Sequence, residues 1–363
     1  MNAEKTIQQD PQKIYLSLID APRYEPTPNV DEYVKGKEYV YWGIDNYYPD
    51  FLWNIYTNCG ILQAVIDGLT DYTLGQGIIN HTGIHEENTY GDSVQDIVEK
   101  LILDRWIYGG FALQVKFNTL GGIIGLSHID IRKCRVDEQG QHVYVQDRWD
   151  KGGSNRFEKF NAFHPDTGDS DGVQIYYYKG TRTRSIYPIP DYNASIISCE
   201  IQKKIKEFQI NELDNNFTSS GIINFNNGKP GKDEKAHIEA GINKKFAGSR
   251  NAGRMMVSFN EDKEHATTFE RLGTDDFPDR YNATNDSSRA DIFISLRAHP
   301  QLFGMTVSTG FANIEYDRAF ELLNRTHILK KQNEIVRVFS RIFCRPDVIS
   351  FILFVLHSDE GQQ

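Results

Sequence analysis

Residues 187–213, "YPIPDYNASIISCEIQKKIKEFQINEL", constrain the chain most. Pro188 and Pro190 rule out helix ahead of Asp191, because proline restricts its own backbone and that of the preceding residue. Asp191 is a good N-cap type, and Asn193 and Ser195 suit a first helical turn. Ile197, Ile201, Ile205 and Phe208 then recur at spacings of four, four and three, which is one face of a helix. The opposite face carries Glu200, Gln202, Lys203, Lys204, Lys206 and Glu207. An apolar stripe one residue wide suits a helix that packs beside neighbours in an assembly; an ordinary surface helix is the other reading.

The segments before this helix predict a mixed unit. Residues 1–40 are polar and marked by Pro11, Pro22, Pro26 and Pro28, and read as an extended, partly mobile arm. Asp50 is the expected cap of a helix through Ile55, Leu62, Val65, Ile66 and Leu69, ended by Gly75 and Gly77. A second helix is expected at about 93–108 with Ser93 as its cap. Val94, Ile97, Val98, Leu101, Ile102 and Trp106 give it a wide, core-facing side. "GGFALQVKFN" reads as a glycine corner leading into a strand, and strands follow on either side of a turn at 138–140. "GVQIYYYKG" alternates as a further strand. Residues 41–186 therefore read as one α/β or α+β unit with mainly antiparallel strands.

After the narrow-striped helix, "GIINF" and "RMMVSF" read as two short strands with a short helix at about 233–246 between them. Another helix starts near Pro278. It is almost all polar over 281–288, then places Ala290, Phe293, Ile294 and Arg297 on one face, and His299-Pro300 ends it. "MTVSTGFAN" is a glycine- and threonine-bearing loop. From about Ile314 to Phe343 no glycine or proline interrupts a long helical pattern. Pro346 follows its end, and "VISFILFVL" closes the chain as a strand too short to span a bilayer.

Motifs for chemistry are weak. "GKPGKD" at 228–233 lacks the glycine spacing and the Ser or Thr of a P-loop. "LGQGI" has two glycines and follows a helix, so the dinucleotide-binding context fails. His81 and His85 are four apart, but Gly83 between them favours a loop over a zinc-binding helix face. Asp130 reads as a polar position on a half-exposed strand rather than a catalytic acid. Cys59, Cys134, Cys199 and Cys344 are scattered and read as reduced and mostly buried, as in a protein made in a cytoplasm. The N-terminal segment lacks the apolar region of a signal peptide. A net charge of −10 argues against a generic basic nucleic-acid binder. It is compatible with a protein that lets DNA slide past without sticking, since phosphate attraction dominates DNA affinity. No catalytic, cofactor or metal residues are assigned.

The order of these parts resembles the portal protein of tailed bacteriophages. The matching elements run from about 41 to 343. They are the early helix ending in "LGQGI", then "LILDRWIYGGFALQVKFNTLGGIIGLSHID", the long helix from Asp191 with its Asn-containing turn and strand, "RADIFISLRAHPQLFG", and a loop followed by a long helix from near Glu315. The family's "vPp…lG" signature here reads His299-Pro300-Gln301-Leu302-Phe303-Gly304, with one proline of two.

The resemblance implies an α+β portal-protein fold with an α/β wing, a helical stem, a small α+β clip and a long tunnel helix. In those terms 1–40 is an N-terminal arm, 41–186 the wing, 187–216 the first stem helix and 217–265 the clip. Residues 266–298 are the second stem helix region, 299–313 the tunnel loop, 314–343 the tunnel helix and 344–363 a short C-terminal segment in place of the family's helical crown. It implies a ring of about twelve copies at one capsid vertex of a virion, made in a bacterial host's cytoplasm, with double-stranded DNA passing non-specifically through the centre. The implied partners are the major capsid or scaffold protein, the terminase large subunit and a head–tail adaptor, with no membrane, no cofactor and no enzymatic activity. Stem packing falls to Ile197, Ile201, Ile205 and Phe208, and Ile197, Ile201 and Phe293 are expected to be covered only in the oligomer. The channel loop is Thr306, Val307, Ser308, Thr309, Gly310, Phe311 and Asn313, none of them charged. The clip's basic loops carry Lys229, Lys232, Lys244, Lys245, Arg250 and Arg254. A soluble α+β hydrolase-like enzyme, with a site assembled from distant residues, is the alternative from another class; a virion adaptor is a third.

Overall fold

The computed structural model describes residues 31–32, 34, 36–149, 156–165, 172–181, 183–214, 222–225, 237, 256–259, 277–304 and 312–354. Strand β1 (Asp31–Glu32) pairs antiparallel with β2 (Tyr41–Trp42). Helix α1 (Tyr48–Asn58) and helix α2 (Gly60–Leu74) follow, then β3 (Ile78–Asn80). One helix was expected here, and two form. Asn58, Cys59 and Gly60 are poor helix formers in a row, and Cys59 adopts extended backbone (φ −111°, ψ 95°) that ends α1 and opens α2. Asp50 lies inside the first turn of α1, and Tyr47 occupies the cap position.

Helix α3 (Val94–Ile107) begins where expected, with a reciprocal cap. Ser93 Oγ accepts from the Asp96 N–H at 3.2 Å, and the Asp96 carboxylate accepts from the Ser93 N–H at 2.8 Å. Strands β4 (Phe111–Phe117), β5 (Ile123–Ile129), β6 (Cys134–Val136), β7 (His142–Val145), β8 (Glu158–Ala162) and β9 (Val173–Tyr178) form one six-stranded sheet in the order β5-β4-β9-β8-β7-β6. Its pairs are antiparallel except β8 with β9. Helix α3 packs on β4 and β5, and α2 packs on α3. Trp42, Leu52, Leu62, Ile66, Leu69, Val98, Leu101, Trp106, Phe111 and Leu113 are buried in the core between them.

The Gly109-Gly110 corner has a steric cause. Gly109 has φ +84°, and a Cβ there would sit 2.2 Å from the Ile189 carbonyl oxygen. A Cβ on Gly110 would sit 2.2 Å from the Tyr178 carbonyl oxygen. The corner therefore lets the proline-bearing segment at 188–190 lie directly against the sheet. Helix α4 (Ile196–Asp214) follows that segment after a 3₁₀ turn at Asn193–Ser195.

Strands β10 (Ile222–Phe225) and β11 (Met256–Phe259) pair parallel. Helix α5 (Phe277–Leu296) ends at Arg297, which has φ +53°, and a 3₁₀ turn at Pro300–Phe303 closes on left-handed Gly304. The expected uninterrupted helix is α6 (Ala312–Leu323), a π-helical turn (Asn324–Ile328) and α7 (Leu329–Ile342). A π turn inserts a residue and re-phases the faces on either side. Phe320 and Leu323 are buried before it, and His327, Ile328, Lys331, Glu334, Ile335 and Val338 after it. Strand β12 (Ile349–Phe351) returns to pair antiparallel with β3, so the last described strand completes the edge opened by "LGQGI".

Gly109→Ala should destabilise the chain by about 2 kcal/mol or more, since it combines a strained φ with a backbone clash. Gly60→Ala, at a helical position with nothing within 4 Å, should be neutral or slightly stabilising. Denaturant unfolding of both variants checks the pair.

Candidate assembly and channel surfaces

Helices α4 and α5 lie side by side, and polar groups close much of their seam. Ser195 Oγ donates to the Asp291 carbonyl at 3.0 Å, and Ser198 Oγ to the Asp291 carboxylate at 3.0 Å. Gln202 Nε2 donates to the Asn285 carbonyl at 3.0 Å and to Ser288 Oγ at 2.5 Å. Tyr281 Oη donates to the Ile205 carbonyl at 3.0 Å. Ile196, Cys199 and Ile205 on one helix, and Ile292, Phe293 and Leu296 on the other, are buried.

This seam corrects the helical-wheel reading of both helices. Gln202, expected among the solvent-facing residues of α4, is 5% exposed, while Ile197 is 64% exposed. Ile201 is half-buried, Ile205 is buried within the chain and Phe208 is exposed, its ring 6.1 Å from that of Tyr281. On α5, Phe293 is buried in its own chain and needs no neighbouring copy to cover it. Ile294, expected on the same face, is 73% exposed. A hydrophobicity pattern places the stripe by apolar side chains alone, whereas here hydrogen-bonded Ser and Gln occupy the inward positions.

The approach to α4 is anchored by buried charges. The Asp191 carboxylate pairs with Lys331 Nζ at 2.6 Å and lies 4.0 Å from Arg105 Nη1. Arg105 Nε donates to Glu334 at 2.8 Å. The Lys331 ammonium sits 4.8 Å from the Trp106 ring centre, and Gln332 Nε2 donates to the Thr73 carbonyl at 2.8 Å. Burial alone would raise the Asp191 carboxyl, but Lys331 and Arg105 outweigh it and hold the group at about 2. Asp191 was expected to cap a helix; it ties α3, the start of α4 and α7 together. Arg105, Lys331 and Glu334 escaped the sequence reading. The available signal was charge at inward positions of helices whose neighbours at the same phase are Leu101, Ile335 and Val338.

The turn before the proposed channel loop is held against α2. Tyr72 Oη donates to the Leu302 carbonyl at 3.0 Å, and the Phe303 ring lies over Gly68 and 6.0 Å from the Tyr72 ring. Thr306, Val307, Ser308, Thr309, Gly310 and Phe311 lie outside the described residues, and Asn313 is in the first turn of α6. Lys229, Lys232, Lys244, Lys245, Arg250 and Arg254 also lie outside them, as do "GKPGKD", residues 1–30 and all of the helix expected at 233–246 except His237.

A cavity of about 580 Å³ is lined by Asp50, Asp130, Arg132, Lys133 and Asp147 among others. Its charges face one another: Arg132 lies 2.6 Å from Asp130 and 3.8 Å from Asp50, and Lys133 lies 2.7 Å from Asp147. Its described lining holds no Ser, Cys or His. Asp130, expected on a strand, caps the turn after β5 by accepting from the Arg132 N–H at 3.0 Å. His81 and His85 lie in the loop after β3. Among the described residues no group of three or more His, Cys, Asp or Glu could hold a metal, and no helix is long and apolar enough to cross a membrane.

Lys331→Met should cost about 3–5 kcal/mol, because it leaves the buried Asp191 and Glu334 carboxylates to share the single cation Arg105. Adding Asp191→Asn should recover part of that loss in a double-mutant cycle. Asp191 also predicts a pH signature. Its folded pKa of about 2 lies below the usual 3.8. Its contribution, about 2 kcal/mol, is therefore full above pH 3.8 and lost as pH falls through about 2. The stability gap between the native chain and Asp191→Asn should narrow over that range in denaturant titrations.

No family model matches the chain, and no curated protein matches it. Solved structures do. A chain in the virion of a native gene transfer agent particle is similar at a TM-score of 0.54 and 16% identity, covering 83% of this chain and 84% of that one. A chain in the neck of the native particle, computed with C12 symmetry, is similar at a TM-score of 0.52 and 16% identity, covering 83% of each. An HK97-family phage portal protein from Corynebacterium diphtheriae is similar at a TM-score of 0.44 and 12% identity, covering 74% of this chain and 82% of that one. At these identities the likeness is one of fold: the chain shares the α+β fold of these gene transfer agent chains.

Proposed function

We propose that the chain is a portal protein: one subunit of a ring of about twelve, set at a capsid vertex, that passes DNA through its centre. The observation that carries this reading is the fold shared with a chain of a particle neck computed with C12 symmetry. The helix pair supports it. Helices α4 and α5 satisfy their mutual seam with hydrogen bonds and still leave Ile197 and Ile294 on the outside. In a closed ring each copy offers the same two edges to its neighbours, and such residues gain cover there.

On this reading 41–186 with a later contribution is the wing, and α4 and α5 are the stem helices. Residues 217–265 are the clip that meets the packaging motor and then the adaptor. The loop at 305–313 faces DNA, and its uncharged side chains can touch a moving phosphate backbone without binding it tightly. The energy for packaging comes from the motor, and this chain acts as channel and docking hub rather than as an enzyme.

Native mass spectrometry with negative-stain imaging of the untagged protein tests the proposal. The expected result is a ring of about twelve 41.7 kDa subunits with a central hole. Ile197→Glu and Ile294→Glu should each reduce ring formation while shifting the subunit's melting temperature by no more than about 2 °C. A homogeneous monomer at every concentration, unaffected by either substitution, would count against the ring.

A further inference from the structure

Helix α7 carries five charged side chains, and the fold sorts them. Lys331 and Glu334 are buried, paired with Asp191 and Arg105. Lys330, Arg337 and Arg341 are exposed. At 3.6 residues per turn these three lie within about 40° of one another around the helix axis, along about 16 Å of its length. They form one ridge. Glu334 is the only acid of α7, and it is turned inward, so no carboxylate of the helix interrupts the ridge. Among the described residues none of the three enters an ion pair. Arg337 Nε donates only to the Asn333 carbonyl of its own helix, at 3.2 Å.

The positive surface extends beyond the helix. Arg341 and the exposed Lys179, which follows β9, line one cavity of about 300 Å³. Lys179 Nζ donates to the Ser185 carbonyl at 2.9 Å, next to the exposed Arg184. Glu138 is the acid in that lining, and among the described residues it is ion-paired with neither cation. Lys179, Lys330, Arg337 and Arg341 therefore form a basic surface on a chain whose net charge is −10. Two of the four are arginines, whose planar guanidinium takes phosphate oxygens in pairs. A straight row of cations also fits a polyanion with charges at regular intervals, which duplex DNA supplies at any sequence.

We propose that this ridge is a non-specific contact for the phosphate backbone of double-stranded DNA. It lies apart in sequence from the uncharged loop at 305–313 and from the basic loops at 229–254. The contact is a property of the single subunit; that the DNA is a genome in passage rests on the portal reading. Four charges make the contact weak and sensitive to salt, so DNA is kept near the surface and still moves along it.

The test is fluorescence anisotropy of a short labelled duplex of mixed sequence, titrated with the full chain at several salt concentrations. Four neutralised phosphates give a slope of log affinity against log salt of about −3.6, or a loss of about 150-fold between about 50 and 200 mM. Combining Lys330→Gln, Arg337→Gln and Arg341→Gln should cut that slope about fourfold. The three side chains are exposed, so the melting temperature should hold and show that the variant is folded. A charge-matched control on α4, Lys203→Gln with Lys204→Gln and Lys206→Gln, should keep the native slope. A native chain that leaves the duplex unbound at the lowest salt, or a ridge variant with the native slope, would overturn the proposal. So would polyglutamate that displaces the labelled duplex at a lower charge concentration than unlabelled duplex does, which would mark the ridge as a site for an acidic protein. Native mass spectrometry of the same samples reads ring formation separately, so failure of the DNA contact and failure of the portal reading are told apart.

Discussion

Two positive and two negative side chains, removed from water together, hold three remote parts of this chain in one arrangement. Arg105 comes from α3, Asp191 from the segment before α4, and Lys331 and Glu334 from α7. Isolating any one of these charges in the interior would be costly. As a set they are balanced, and the Trp106 ring lies under the Lys331 ammonium. Burial, then Arg105, draws the Lys331 amine down to about 8, while Asp191 and Glu334 pull it back up. The set is therefore better understood as a register device than as a source of net stability. It accepts only the packing in which all four groups meet.

The π turn and the helix pair depend on that register. A straight α-helix from Ala312 would carry its 320–323 face onward at a different phase. The π turn at Asn324–Ile328 turns Lys331 and Glu334 inward, toward Asp191 and Arg105. With Asp191 held, α4 leaves the α1–α3 layer in a fixed direction and meets α5 through Ser195, Ser198 and Gln202. Because those polar groups satisfy the seam, α4 needs few apolar residues on its inner side. The narrow stripe that marks this helix is thus divided: Ile205 is buried within the chain, and Ile197 is exposed.

Much of the fold was legible residue by residue. Ser93 announced α3, the Gly109-Gly110 corner announced β4, and alternation announced β9. These signals are local, because capping, left-handed backbone and period-two alternation are each decided within a few residues. The break at Cys59, strand β8, the π turn and the pairing of β12 with β3 were not legible. Each depends on what lies opposite in space. Much of the candidate site was equally hidden. The assignment of an inward face to α4 failed because a glutamine and two serines can replace an apolar seam only when a partner supplies matching donors and acceptors.

The sequence by itself determined the capped start of α3, the glycine corner into β4 and the alternating strand β9. Tertiary structure alone decided which side of α4 and α5 faces inward, how α7 is phased, and that Asp191 meets Lys331. The physical reason is the range of the interactions. Backbone preference acts over a few residues and is written in them. Buried ion pairs and inter-helix hydrogen bonds join positions far apart in the chain, so they exist only once the chain has folded.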